Sequence, residues 1–130
     1  MFCDFAFYVG GTRENVAEIP ALEKLEGSAG IKVFAGSSTG DLLVEDDGGL
    51  SAIISKISRR AAFHSEDEMR LRQRASFQIA GDASSHPVWR DVEAARLCTE
   101  RLLRIARAEQ KRIHVLHIST AEELPLLAAH

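Results

Sequence analysis

The chain has 130 residues, 45% of them hydrophobic, with a formal net charge of −3 and a pI near 5.9. That size suits one modest domain over residues 1–130, the composition excludes a disordered chain, and the mild acidity argues against nucleic acid as a partner. No apolar run is long enough to cross a membrane and no basic leader precedes an apolar stretch, so no membrane partner and a cytoplasmic location are expected.

Residues 2–9 read as a strand, interrupted by Asp4 and ended by Gly10 and Gly11. Residues 12–26 read as a helix with Val16, Ile19, Leu22 and Leu25 on one stripe, and Pro20 is placed to divide it. Gly27 and Gly30 flank the turn into a strand at 31–37, which carries Lys32 inside an apolar run. Lysine is rarely buried without a partner or a function. The loop at 37–49 is rich in glycine and acid; Asp41, Glu45, Asp46 and Asp47 lack EF-hand spacing and read as solvated. A helix follows with Leu50, Ile53, Ile54 and Ile57 on its buried face. Residues 60–64 form a short apolar strand ending in His64. Ser65 and Glu68 have capping-box spacing for a helix reaching Arg74 that holds Met69 and Leu71, with Glu66, Asp67 and Glu68 in its first turn, where negative charge suits the dipole.

Residues 75–86 read as loop, and 87–110 as the longest helix, with Pro87 in its first turn. Val88, Val92, Ala95, Leu102, Leu103 and Ile105 supply its apolar side; Arg90, Glu93, Arg96, Glu100, Arg104 and Arg107 supply a solvated face. Arg112 opens a buried strand in which alternation puts Ile113, Val115 and His117 on one face and His114 on the other, against the helix layer. Thr120 and Glu123 have the spacing of a capping box for a last helix at 121–130. Cys3 and Cys98 fit no metal or redox spacing and read as packing residues in a reducing compartment. His86 and Trp89 belong to no visible constellation, and the loop from Gly36 to Gly40 lacks the lysine and spacing of a phosphate-binding P-loop.

Four repeats of strand then helix predict an α/β fold with parallel strands and right-handed crossovers. Four units fit either an open sheet or half of an eight-stranded barrel. In both, the carboxyl ends of strands hold metals and substrates, which is where His64 and His117 fall. A catalytic zinc keeps about three protein ligands and an open position for water, whose pKa it lowers to about 7. Two metals need a bridging anion, which Lys32 can supply only if carbon dioxide converts its amine into a carbamate.

Three segments carry a resemblance: Gly30-Ile-Lys-Val-Phe-Ala-Gly-Ser-Ser-Thr-Gly40, Phe63-His-Ser-Glu-Asp-Glu68 and His114-Val-Leu-His-Ile-Ser-Thr-Ala121. In order and content they resemble successive motifs of dihydroorotase, a cyclic amidohydrolase of the amidohydrolase superfamily, and Phe5-Ala-Phe-Tyr-Val-Gly-Gly-Thr12 is similar to the strand before them. Allantoinase and dihydropyrimidinase, or hydantoinase, share this plan. The resemblance implies a partial TIM-type barrel of about four βα units, corresponding to the third to sixth strands, and a small cyclic amide substrate. It also implies a two-zinc centre, with Lys32 as the carboxylated bridge and His64 and His117 holding the second zinc. The parent reaction would be reversible hydrolysis of dihydroorotate to N-carbamoyl-aspartate, in pyrimidine biosynthesis. The sequence has no His-x-His pair, and no strand after the last helix to carry the family's catalytic aspartate. These residues are therefore expected to be a central fragment, inactive alone, with open sheet edges that invite self-association. An inactive scaffold relative is the reading from a different class.

Overall fold

The computed structural model describes residues 3–38 and 40–130. Four parallel strands, β1 (Phe7–Gly10), β2 (Ser28–Phe34), β3 (Ala62–His64) and β4 (His114–Val115), lie in the order β1-β2-β3-β4. Between and after them run α1 (Ile19–Leu22), α2 (Asp47–Lys56), α3 (Glu68–Arg74), α4 (His86–Trp89), α5 (Val92–Ala108) and α6 (Leu124–Ala128). The expected start of the first strand, Phe2, lies outside the described residues, as does Thr39 of the loop after β2.

One face of the sheet makes the core. Ile31 and Val33 of β2 and Phe63 of β3 pack with Ile19 of α1, Leu50, Ile53 and Ile54 of α2, and Cys98, Leu102 and Ile105 of α5. These side chains are essentially removed from water, the largest favourable term available to a chain of this size. The opposite face carries Tyr8, Lys32, Phe34, His64 and His114, since strand register places Tyr8 beside Gly30, Phe34 beside His64 and Ala62 beside His114. Core helices on one face only are the arrangement of a barrel wall, whereas a doubly wound sheet is covered on both faces. The fold is α/β, a partial (β/α) barrel of four units. Among the described residues, no helix is long and apolar enough to cross a membrane.

Helix starts follow side-chain caps. Asp46 accepts from the Gly49 amide at 3.1 Å to open α2, Asp67 from Arg70 at 2.9 Å to open α3, and Asp91 from Ala94 at 3.1 Å to open α5. Each satisfies an amide that has no partner within the helix.

Several sequence expectations are corrected. The helix at 12–26 is a 3-10 turn, Val16–Glu18, running into the four-residue α1 with Pro20 in its first turn, and Leu25 is exposed. Ser65 does not cap α3, because its hydroxyl is buried against Thr99 Oγ1 at 2.8 Å, while Glu68 turns back to accept from the Ser37 amide at 2.8 Å. The acidic loop is ion-paired rather than simply solvated: Glu45 meets Arg72 at 2.7 Å, Asp47 meets Arg104 at 2.6 Å, and Asp46 contacts Arg13. The helix at 87–110 is two helices, because Arg90 leaves helical geometry at φ −100°, ψ 69° and Asp91 caps a new start. The strand after Arg112 is a two-residue edge strand rather than a buried one, and His114 is exposed on the Lys32 face instead of packing on the helices. It is Ile113 that packs against the core.

Candidate metal centre

β3 and β4 end at the same level, and both histidines emerge there. His64 is the last residue of β3, on the face opposite Phe63. His117 follows the end of β4 by two residues. Strict alternation would send it to the helix side with Ile113 and Val115, but its backbone turns to φ 39°. That left-handed conformation costs a non-glycine residue about 1–2 kcal/mol, and it accompanies a ring brought across to β3. Alternation along the strand thus puts His117 on the helix side, and the left-handed turn at this residue brings its ring beside His64 instead.

The two rings meet through their nitrogens. His64 Nδ1 lies 2.9 Å from His117 Nε2, with ring centroids 4.7 Å apart. They border a cleft of about 500 Å³, whose walls include Glu66, His86, Arg90 and Thr120. Behind it lies a polar, largely buried chain of bonds: Ser65 Oγ bonds Thr99 Oγ1, Thr99 donates to Glu123 Oε1 at 2.6 Å, and Thr120 donates to Glu123 Oε2 at 2.8 Å. Glu123 is 2% exposed. This chain of bonds ties the loop after β4 to α5 and to the end of β3. The Thr120–Glu123 pairing joins side chain to side chain, without the cap to a backbone amide that the capping-box spacing predicts.

Lys32 shares the face but not the cluster. Its amine donates to the Val33 carbonyl at 3.1 Å and lies 3.8 Å from the centroid of the Phe34 ring, which in turn stands 5.9 Å from the His64 ring. Burial pushes the amine down to about 8. Among the described residues no three histidine, cysteine or acidic groups are poised around one point. Cys98 is buried in the core and its thiol is pushed up to about 11 by that burial, which fits a packing role.

Glu66 and Arg90 also belong to the cluster, and neither stands out in the sequence as a site residue. Glu66 Oε2 lies 2.7 Å from His64 Nε2, the ring nitrogen facing away from His117. Arg90 Nε donates to Glu66 Oε1 at 2.8 Å and its second arm reaches Oε2. The one available signal was Asp91, a capping residue just ahead of the Val92, Ala95, Cys98, Leu102 stripe. It marks the helix start and so places Arg90 in the break.

Burial pushes the Glu66 carboxyl up, but hydrogen bonds and charge from Arg90 and His64 outweigh it and hold the group at about 2. A depressed folded value means stability that is present above the ordinary value of 4.5 and lost as pH falls toward 2. Urea unfolding followed across that window should show Glu66→Gln with a shallower acid loss than the parent chain. Equal slopes would remove the pair from the account of acid stability.

No protein-family model and no curated protein matches the sequence. Solved structures do. An L-hydantoinase (dihydropyrimidinase) from Arthrobacter aurescens superposes with a TM-score of 0.84 at 25% identity, over 97% of this chain and 29% of its own. A D-hydantoinase from a Bacillus species gives 0.82 at 21% identity, and a dihydropyrimidinase from Brevibacillus agri 0.80 at 20%, with the same coverages. The chain thus spans about 29% of the length of these proteins. Its fold is that of part of the barrel found in hydantoinases and dihydropyrimidinases.

Proposed function

We propose that this chain supplies one wall of the metal centre of a cyclic amide hydrolase acting on hydantoins or dihydropyrimidines. The observation that carries the reading is the meeting of His64 Nδ1 and His117 Nε2 at 2.9 Å, at the strand ends of a hydantoinase-like barrel wall. Two ligand atoms held about 2.0–2.1 Å from one tetrahedral ion lie roughly 3.3–3.4 Å apart. The rings therefore need to separate by only a few tenths of an ångström to share a divalent ion such as Zn2+. The donor chemistry fits: neutral imidazole nitrogens, one per ring, with His64 braced from behind by a carboxylate. A divalent ion held there supplies Lewis acidity and a water of lowered pKa.

Lys32 would be the third donor after its neutral amine attacks carbon dioxide. A nitrogen–carbon bond forms, the amine proton leaves to solvent, and an anionic carbamate results. The lowered amine pKa favours this, because more of the amine is neutral near pH 8. The side chain must also swing from the Val33 carbonyl toward the histidines. Glu66 and Arg90 orient His64, and the Ser65–Thr99–Glu123–Thr120 chain holds the loop bearing His117.

Dihydroorotate is the second substrate reading, favoured by the motifs around Lys32, His64 and His117; ring-opening assays of hydantoin, dihydrouracil and dihydroorotate on the whole gene product separate the two. The outer edges of β1 and β4, unpaired among the described residues, are where further strands or a second copy would add.

Cobalt(II) titration of the purified chain tests the reading. Uptake is expected, rising with bicarbonate, and the bicarbonate effect should vanish in Lys32→Arg. His64→Ala and His117→Ala should each weaken uptake by more than the roughly 10–100-fold typical of losing an outer-shell partner. No uptake, or uptake indifferent to both histidines, would turn the reading to a non-catalytic βα scaffold.

A further inference from the structure

We propose that Glu66, clamped by Arg90, is a positioning residue that fixes His64 in the tautomer whose bare Nδ1 faces His117. An ionised carboxylate only accepts hydrogen bonds. With Glu66 Oε2 2.7 Å from His64 Nε2, that nitrogen must carry the ring hydrogen, and Nδ1 is left with its lone pair. The geometry then decides the partner ring as well. Across the 2.9 Å contact His117 Nε2 has to be the donor, so a hydrogen occupies the line between the rings. Seating a cation on that line requires the His117 Nε2 hydrogen to pass, through solvent, to Nδ1 of the same ring, and leaves His64 unchanged. One histidine is prepared for a ligand role by the fold, and the other switches.

Arg90 makes this more than a surface contact. Its guanidinium grips both Glu66 oxygens, a two-point arrangement that fixes the plane of the carboxylate. Side-chain exposures are 15% for His64, 14% for Glu66 and 20% for Arg90, so water competes little. Arg90 is itself aimed by the break between α4 and α5 and by its place 5.2 Å from the Trp89 ring. A lysine at position 90 would keep the charge and lose the fork.

The proposal extends the metal reading, and its test separates the two. Nitrogen NMR of the ion-free chain reports which His64 nitrogen bears hydrogen. The expected spectrum shows Nε2 protonated and Nδ1 bare. In Glu66→Gln, whose amide both donates and accepts, the single tautomer should give way to a mixture. Arg90→Lys should shift the balance part of the way, and Arg90→Met further. Cobalt(II) affinity should fall about 10–100-fold in Glu66→Gln, with circular dichroism confirming that each variant folds. A parent His64 protonated on Nδ1, or a Glu66→Gln chain with unchanged tautomer and unchanged affinity, would overturn the proposal. The expected tautomer pattern in a chain that takes up no cobalt would uphold the positioning role and sink the metal reading.

Discussion

Phe63→Ala is expected to lower the unfolding free energy by about 3–5 kcal/mol. Phe63 is fully buried at the centre of the core face, between Val33 on β2 and Val115 on β4 in strand register. Removing its ring takes away transfer free energy and leaves a void that the α2 and α5 side chains fill only in part. Domains of this size have about 5–15 kcal/mol of total stability, so the variant should be marginal. Phe63→Leu keeps most of the volume and should cost much less. Lys32→Ala lies on the other face of the sheet, fills no core space, and should leave stability close to that of the parent chain. Equilibrium urea unfolding ranks all three. A Phe63→Ala loss below about 1 kcal/mol would mean that the core face is wrongly assigned.

This contrast between faces also shows what a single sequence can carry. The strand–helix order was legible because each strand is a short apolar run and each long helix has its own stripe, and both signals are local. Closure toward a barrel was legible only through the resemblance carried by the segments around Lys32, His64 and His117, because the local pattern fits an open sheet equally well. It depends on Ile19, Leu50 and Leu102, from three separate helices, choosing the same side of the sheet, and no local pattern records that choice. The expected helices are longer than the real ones where a local stop was given too little weight, at Pro20 in the first turn of α1 and at Asp91, which caps a new helix after Arg90.

The site divides along the same line. Lys32, His64 and His117 stand out because their residue types are unusual at strand positions. The structure brings the two histidines together and leaves Lys32 bonded within its own strand. Glu66 looked like an ordinary first-turn acid, since its role depends on an arginine 24 residues later. Glu66 in fact stands ahead of the Asp67 cap, outside α3, and its carboxylate serves the His64 ring rather than the helix dipole.

Gly36→Ala is the substitution that joins fold and site most directly. A Cβ on Gly36 would stand 2.1 Å from the Glu66 carbonyl oxygen and 2.9 Å from its carbonyl carbon, both backbone atoms with little freedom to retreat. The chain after β2 is laced to the chain after β3 at this point: the Ala35 amide donates to the His64 carbonyl at 3.1 Å, and the Ser37 amide to Glu68 at 2.8 Å. Relieving the clash must part these segments and carry Glu66 away from His64 and Arg90. The expected cost is about 3 kcal/mol, the upper end of ordinary overpacking, together with a fall in cobalt(II) affinity like that of Glu66→Gln. Gly27→Ala is the control. Its Cβ meets nothing within 4 Å but its φ is +78°, so it should lose about 1–2 kcal/mol to backbone strain and keep the parent metal affinity. If Gly36→Ala matched the parent in both measurements, the close crossing of the two segments would not exist in solution. The placement of Glu66 behind His64 would then lose its structural support.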